Sequence, residues 1–328
     1  MLDIFLIVLF LLVSFVLIVK GADFLVDGAA DLARWLKVSP LVIGLTIVAF
    51  GTSLPEFIVT IFSAWSGSGD IAVGNIIGSN IVNIGLILGI SAIIVPLFIR
   101  SKTLMYELPF VTVSSFLLII LGNNFYFFNQ PTLRFDRIDG VIFLLIFVLF
   151  LAYMFSTIRK ERKKVAAEFK QEYKEERSLK RNALFVVGGL IALILGGKLF
   201  IHAATKLALI AGLSEAFIGV VIAAIGTSLP ELASSAVAAW KKQGDIAVGN
   251  VVGSNIFNIL FVLGTAVVIK PITISATLLS IDAIVMVFLS LLLLLFAAYN
   301  RKITRAEGAA LVAVYLIFVL YQLTSIIR

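Results

Sequence analysis

The hexapeptide Gly-Thr-Ser-Leu-Pro-Glu occurs twice, at 51–56 and at 226–231, each time inside an apolar run. Glu56 stands about 15 residues into its run, roughly the middle of a membrane span. A charge at that depth is costly unless it is paired, protonated or bound to a metal ion. No Lys or Arg sits at a matching depth in either run. The preceding proline adds to the site. Pro55 has no N–H for the carbonyl of Gly51, and Pro230 none for that of Gly226, so each helix should kink and free carbonyl oxygens. Broken backbone at membrane depth is tolerated only where it is buried in protein or lines a cavity. Two carboxylates with freed carbonyls and hydroxyls make an all-oxygen cage for a hard cation. Ca²⁺ takes about 6–8 such oxygens. The blander alternative is a protonated Glu bonded to a neighbour and a packing kink. A second copy of the whole motif favours function, since intramembrane ionisable groups are usually functional.

Each hexapeptide is followed by Gly-Asp-Ile-Ala-Val-Gly-Asn and then Gly-Ser-Asn-Ile-x-Asn. Asn75, Ser79 and Asn83 recur at i, i+4, i+8 on one helix face, as do Asn250, Ser254 and Asn258. These stripes can supply further oxygens to the site or serve as interhelical hydrogen bonds. Gly74 with Gly78, and Gly249 with Gly253, have the small-xxx-small spacing that lets helices approach closely. Asp70 and Asp245 precede helices and read as N-caps rather than ligands. His202, the only histidine, reads as structural.

The elements that position these residues follow from composition. Of 328 residues, 61% are hydrophobic and 14% charged, and mean hydropathy is +1.13. A soluble domain carries about 25% charged residues. Apolar windows predict ten helices: 4–19 (extending amphipathically to Leu36), 41–65, 71–99, 104–121 and 140–158, then 183–211, 216–240, 246–269, 274–299 and 308–323. The first run lacks a basic flank and a cleavage site and reads as a retained span. There is no Cys, which removes disulfides and thiolate chemistry. No nucleophile–base pair suggests an enzyme.

The segment from Val38 aligns without a gap on the segment from Leu213, with about half the positions identical, far above chance for a repeat. The chain therefore divides into 1–158, a basic loop 159–182, and 183–328. Five spans per half make the second half enter from the opposite side, giving two inverted-topology five-helix repeats, an all-α membrane fold shared by many secondary transporters. Net charge is +7. The basic loop, Arg34, Lys37, Arg100, Lys102, Lys241, Lys242, Arg301, Lys302 and Arg305 fall on one predicted side. The other side has only Arg134, Arg137, Lys198, Lys206, Lys270 and Arg328. This asymmetry of about threefold puts the loop in the cytoplasm and both termini outside. The basic excess thus reflects insertion rather than nucleic-acid binding.

At these motifs the chain resembles the calcium/cation antiporter superfamily, in particular its prokaryotic sodium/calcium exchanger branch. The likeness covers both repeats and the ten-helix plan. It implies four clustered cation sites formed by Glu56, Glu231, Thr52, Thr227, Ser53, Ser228, Ser79 and Ser254. It adds the backbone oxygens of Ala49 and Ala224, with Asn83 and Asn258 lining the middle. Some relatives, the potassium-dependent branch among them, have Asp where this chain has Asn258, which argues against K⁺ co-transport. Proton/calcium relatives usually carry an acidic residue where Gly78 and Gly253 stand, which favours Na⁺. The resemblance implies a cell-membrane antiporter of Na⁺ and Ca²⁺ that needs no cofactor and functions as a monomer in the lipid bilayer. Two carboxylates give about −2, so three Na⁺ against one Ca²⁺ would move about +1, worth roughly 2.3 kcal/mol per 100 mV. The alternatives that the residues leave open are a proton/calcium (or other divalent-cation) antiporter and a calcium-permeable channel.

Overall fold

The computed structural model describes residues 2–123, 133–168, 178–210 and 224–327. The described residues form twelve helical segments, α1 to α12 in chain order. The first half contains α1 (Leu2–Leu36), α2 (Pro40–Thr52), α3 (Leu54–Ser66), α4 (Gly69–Ile94) and α5 (Thr103–Gly122), and α6 (Arg137–Glu168). The second half contains α7 (Leu179–Ile210), α8 (Ala224–Thr227), α9 (Leu229–Trp240), α10 (Gly244–Ile269) and α11 (Leu278–Asn300), and α12 (Arg305–Ile327). Among the described residues eight helices are long and apolar enough to cross a bilayer, or nine when the bent pair α2–α3 counts as one span. The expected span 216–240 is described only from Ala224 onward.

Helices α4 and α10 form the centre, with 78% of each apolar window buried, against 22% for α1 and 28% for α7. Outward-facing side chains are large and apolar, including Phe62, Phe155, Leu184 and Leu295. Exposed hydrophobic surface on this scale suits lipid, not water.

The equivalent helices α4 and α10 run antiparallel. Asp70 at the start of α4 accepts a hydrogen bond from the N–H of Ser275, just beyond the end of α10 (2.7 Å). Asp245 at the start of α10 accepts from Arg100 Nε, just beyond the end of α4 (2.9 Å). Both aspartates were expected to be N-caps. Instead Ser68 and Gln243 occupy the cap positions, and the aspartates, one residue inside the helix, tie one half to the other.

Short strands repeat the exchange between halves. β1 (Leu97–Phe98) pairs antiparallel with β4 (Lys302–Ile303), and β2 (Arg134–Phe135) with β3 (Ile272–Thr273). These strands correct the sequence reading in one place. The third helix was expected to reach residue 99, but Val95 turns extended ahead of Pro96 and α4 stops at Ile94, because the residue before a proline disfavours the helical region. Helix extends into both flanks of the expected loop 159–182, whose middle lies outside the described residues. α6 runs through its first part to Glu168 and α7 takes up its last turn from Leu179.

Basic residues assigned to one side by charge do gather at one end of the bundle. Arg301 donates to Ser101 Oγ (2.9 Å) and Arg305 to the carbonyl of Ile94 (3.3 Å), next to the Arg100–Asp245 pair. On the periphery α1 and α7 pack along each other. A Cβ on Gly21 would lie 2.9 Å from Gly189 O, and one on Gly189 2.7 Å from Gly21 O, so only glycine allows this approach.

Candidate cation site

The break between α2 and α3 builds half of the site. Gly44–Val48 is a widened, π-helical turn, a feature frequent at functional sites. Regular helix resumes at Ala49 and stops at Ser53, whose φ −84°, ψ 9° lie in the sparsely used bridge region. Leu54 and Pro55 then open α3, and the two helices differ in direction by 47°. Ser228 repeats this with φ −89°, ψ 7° before Leu229 and Pro230. The proline-driven kink expected from sequence is therefore present, and it places each glutamate in the first turn of a new helix. That position is favourable for a carboxylate, because helix N-termini carry partial positive charge.

Glu56 and Glu231 are each 1% exposed. The two halves meet reciprocally here. Ser53 donates to Glu231 Oε1 at 3.0 Å, and Ser228 donates to Glu56 Oε1 at 3.4 Å. Both partners are hydroxyls, which carry no compensating charge. The second oxygen of each carboxylate, Oε2, has no hydrogen-bond partner. Burying unpaired acceptors in this way is expensive, and a cation is the natural complement to them.

The surrounding groups are oxygen-rich. Thr52 Oγ1 lies 3.1 Å from Val48 O and 3.1 Å from Asn250 Oδ1. The carbonyl of Ala49 accepts from Ser53 N at 3.1 Å and from Ser254 Oγ at 3.5 Å. Ser79 is buried with its hydroxyl toward Glu56. Thr227 is half-buried. Ala224 opens α8, at the edge of the described residues. Asn75 Nδ2 holds the carbonyl of Glu56 (3.2 Å) and Thr60 Oγ1 (2.9 Å). Asn250 Nδ2 makes the matching contacts with Glu231 O (3.5 Å), Ser234 Oγ (3.0 Å) and Ser235 Oγ (2.9 Å). So these asparagines brace the backbone of the glutamates.

Asn83 and Asn258 sit in symmetrical π-helical turns, Val82–Leu88 and Phe257–Leu263. Asn83 Nδ2 donates to Asn255 Oδ1 and Asn258 Nδ2 to Asn80 Oδ1, both at 3.3 Å. The side-chain oxygens of Asn83 and Asn258 are buried without hydrogen-bond partners. Asn80 and Asn255 were missed from sequence because they fall off the i, i+4, i+8 stripe. Their i, i+3 spacing from Asn83 and Asn258 was the available signal. Thr60, Ser234 and Ser235 were missed as well, lying one turn beyond the hexapeptides.

A close approach between halves is required for this geometry. A Cβ added at Gly253 would meet Leu45 O at 2.6 Å and the Ala49 side chain at 2.7 Å. The glycine lets α10 press against the broken span beside the carbonyl of Ala49.

A lipid-facing bundle with paired, buried, oxygen-lined helix breaks defines a multi-pass membrane protein with a central site suited to cations. The chain belongs to the sodium/calcium exchanger protein family, whose profile matches residues 6–156 and 181–324. It is similar to CaxA of Alkalimonas amylolytica, named as a candidate antiporter, with 39% identity over 94% of this chain and 96% of that one. It is 31% identical to the sodium/calcium exchanger MaX1 of Methanosarcina acetivorans, over 94% of this chain and 96% of that one. Among solved structures it resembles the sodium-calcium exchanger NCX_Mj soaked with zero Na⁺ and Ca²⁺. That match has a TM-score of 0.81 and 33% identity, over 97% of this chain and 99% of the other. The family is one of ion exchangers rather than enzymes.

Proposed function

We propose that the chain exchanges Na⁺ for Ca²⁺ by alternating access through the Glu56–Glu231 site, electrogenically and without K⁺. The observation that carries this reading is the reciprocal meeting of two buried carboxylates, each with one oxygen free of partners. Thr52, Ser53, Thr227, Ser228, Ser79, Ser254 and the carbonyls of Ala49 and Ala224 complete the ligand set, and Asn83 and Asn258 line its middle. Both ions need the same carboxylates, so neither binds fully beside the other. An empty site, with two unpaired carboxylates at low dielectric, is too costly to traverse the membrane, which couples the two fluxes. Three Na⁺ would exceed the charge of one Ca²⁺ by about +1, so inside-negative potential drives Na⁺ entry.

The antiparallel pairing of α4 with α10 supports two inverted five-helix repeats, 1–158 and 183–328, and ten spans in all. The clustering of basic residues at one end supports a cytoplasmic loop at 159–182 with both termini outside, in the cell membrane. One chain supplies both carboxylates, which supports a functional monomer. The α1–α7 pair is the moving part. It is largely lipid-facing and packs through glycines, so it can slide against the buried α4–α10 centre.

The test is uptake of ⁴⁵Ca²⁺ into proteoliposomes loaded with Na⁺, against choline-loaded controls. Uptake that requires internal Na⁺ and disappears in Glu56→Gln is expected. Uptake indifferent to internal Na⁺ would overturn the sodium-coupled reading. Valinomycin-clamped membrane potentials test electrogenicity, and a rate that ignores potential would rule it out.

A further inference from the structure

Away from the central site, α5 opens with a π-helical turn, Thr103–Glu107, that buries another carboxylate. Glu107 is 2% exposed. Tyr153 on α6 donates its phenol to Glu107 Oε1 at 2.6 Å. Glu107 Oε2, Thr103 Oγ1 and Ser39 Oγ are buried and have no hydrogen-bond partner. Beside them, between the start of α2, the start of α5 and the end of the α6 span, lies a cavity of about 190 Å³. Ser39, Glu107 and Thr157 are its buried polar lining, Leu41, Val42, Leu45 and Met154 its apolar wall, and Arg100, Ser101 and Lys102 its exposed rim.

We propose that this cavity is a second cation site, separate from the exchange site, for one hard monovalent cation of the Na⁺ type. Its donors are the Glu107 carboxylate, the Ser39 and Thr157 hydroxyls, and water. The donors are all oxygens, which select hard cations. A single carboxylate balances a single positive charge. Ca²⁺ needs about 6–8 oxygens, several of them from carboxylates, and the basic rim repels a doubly charged ion twice as strongly as a singly charged one. Water occupies about 30 Å³ per molecule, so the cavity accommodates a cation that keeps part of its hydration shell.

Two further features favour a built site. The acid at the same 175-residue offset that relates Glu56 to Glu231 is Asp282, and Gln322 donates its amide to it at 2.6 Å. The two halves therefore treat equivalent acids differently: among the described residues Glu107 has unpartnered buried hydroxyls near it, and Asp282 is held by an amide. In addition, Leu41, Val42 and Leu45 belong to α2, the helix that carries Ala49 and Thr52 at the exchange site. A cation held between α2 and α5–α6 would therefore bias the position of that helix.

The probe is ²²Na⁺ binding to purified protein by scintillation proximity, at constant ionic strength with N-methylglucamine. The background is Glu56→Gln/Glu231→Gln, which disables the exchange site. A saturable Na⁺ component is expected there, lost on adding Glu107→Gln and weakened on adding Ser39→Ala by about tenfold, a change of about 1.4 kcal/mol. Glu107→Gln in the otherwise native chain should still bind ⁴⁵Ca²⁺, which shows that it folds. Absence of the component would mean that Glu107 is a neutral acid and would overturn the proposal. So would a component untouched by Glu107→Gln, or one displaced by micromolar Ca²⁺. Failure of the exchange reading would be seen separately, as ⁴⁵Ca²⁺ uptake independent of Na⁺ while this binding persists.

Discussion

Two of the repeat-related pairs of acids end in opposite circumstances. Glu56 and Glu231 converge, each reached by a serine from the other half. Glu107 and Asp282 are held at opposite ends of the bundle. Glu107 follows Arg100, which contacts the start of α10, whereas Asp282 follows Ser275, which contacts the start of α4. The 26 residues of α4 separate those ends by about 39 Å at 1.5 Å per residue. Antiparallel packing of equivalent helices thus brings residues near mid-span together and sends residues near helix ends apart. Mid-span acids can share one ion. Terminal acids must each find a local partner, and here those partners differ: Tyr153 for Glu107 and Gln322 for Asp282.

The largest effects are therefore expected at the convergent pair. Glu56→Gln or Glu231→Gln should each lower Na⁺-driven ⁴⁵Ca²⁺ uptake by about 100-fold or more, given that removing one partner from a buried charge arrangement costs about 3–5 kcal/mol. Glu107→Gln should retain most of that uptake. If Glu107→Gln abolished transport as completely as Glu56→Gln, the distinction between central and terminal acids would fail.

A smaller loss is expected where the halves touch without carrying charge. Gly253→Ala forces a Cβ against Leu45 O and Ala49. Overpacking of this kind costs about 1–3 kcal/mol, so the detergent-solubilised protein should melt earlier and transport more slowly. Its apparent Ca²⁺ affinity should also fall, because the carbonyl of Ala49 is part of the proposed ligand set. A variant that melts earlier but keeps wild-type Ca²⁺ affinity would show that the contact is only structural.

How far these arrangements could be read from the chain depended on where the repeat signal was strong. Across the paired hexapeptides it pointed to Glu56, Glu231 and the proline-driven breaks, while Ser53 and Ser228 entered through the family resemblance. Identical residues at a fixed offset within apolar runs leave few other readings. Asn80 and Asn255 escaped because a strict helical period assigns them to another face, and contact between α4 and α10 involves that face too. Glu107 and Asp282 escaped for a different reason. The gapless identity ends near Gly89 and Gly264, and beyond it the acids differ in type and sit next to ordinary polar residues. The strand at 97–98 carries apolar residues that continue the helical run, so hydropathy could not mark where Pro96 ends α4. The interdigitation of the halves is a tertiary outcome that no local pattern encodes.

The smallest expected effect separates α1 from its counterpart α7. Lys241, just past the end of α9, reaches Asp27 Oδ1 at 2.8 Å and Asp23 Oδ1 at 3.1 Å on α1. At the same offset in the first half stands Ser66, whose hydroxyl donates within its own turn to Ser63 O at 3.1 Å. The residues of α7 equivalent to the two aspartates are Lys198 and His202, so no such ion pair can form there. One end of the α1–α7 pair is tethered to the centre by charge and the other is not. Burial of the Lys241 ammonium works against its charge, but hydrogen bonds to Asp27 and Asp23 outweigh that and raise its pKa above the usual 10.5. A raised lysine pKa contributes stability that is fully present below the unfolded value and lost only as pH rises through the folded one. The tether should therefore be constant from about pH 6 to 9. With both partners partly exposed it is worth at most about 1 kcal/mol, less in high salt. Lys241→Gln should lower the melting midpoint slightly and equally across that pH range. If the tether restrains α1 during exchange, the same variant should also change the rate of Na⁺-driven uptake and leave apparent Ca²⁺ affinity unaltered. A rate identical to wild type at low ionic strength would show that the ion pair does not restrain α1, the proposed moving helix.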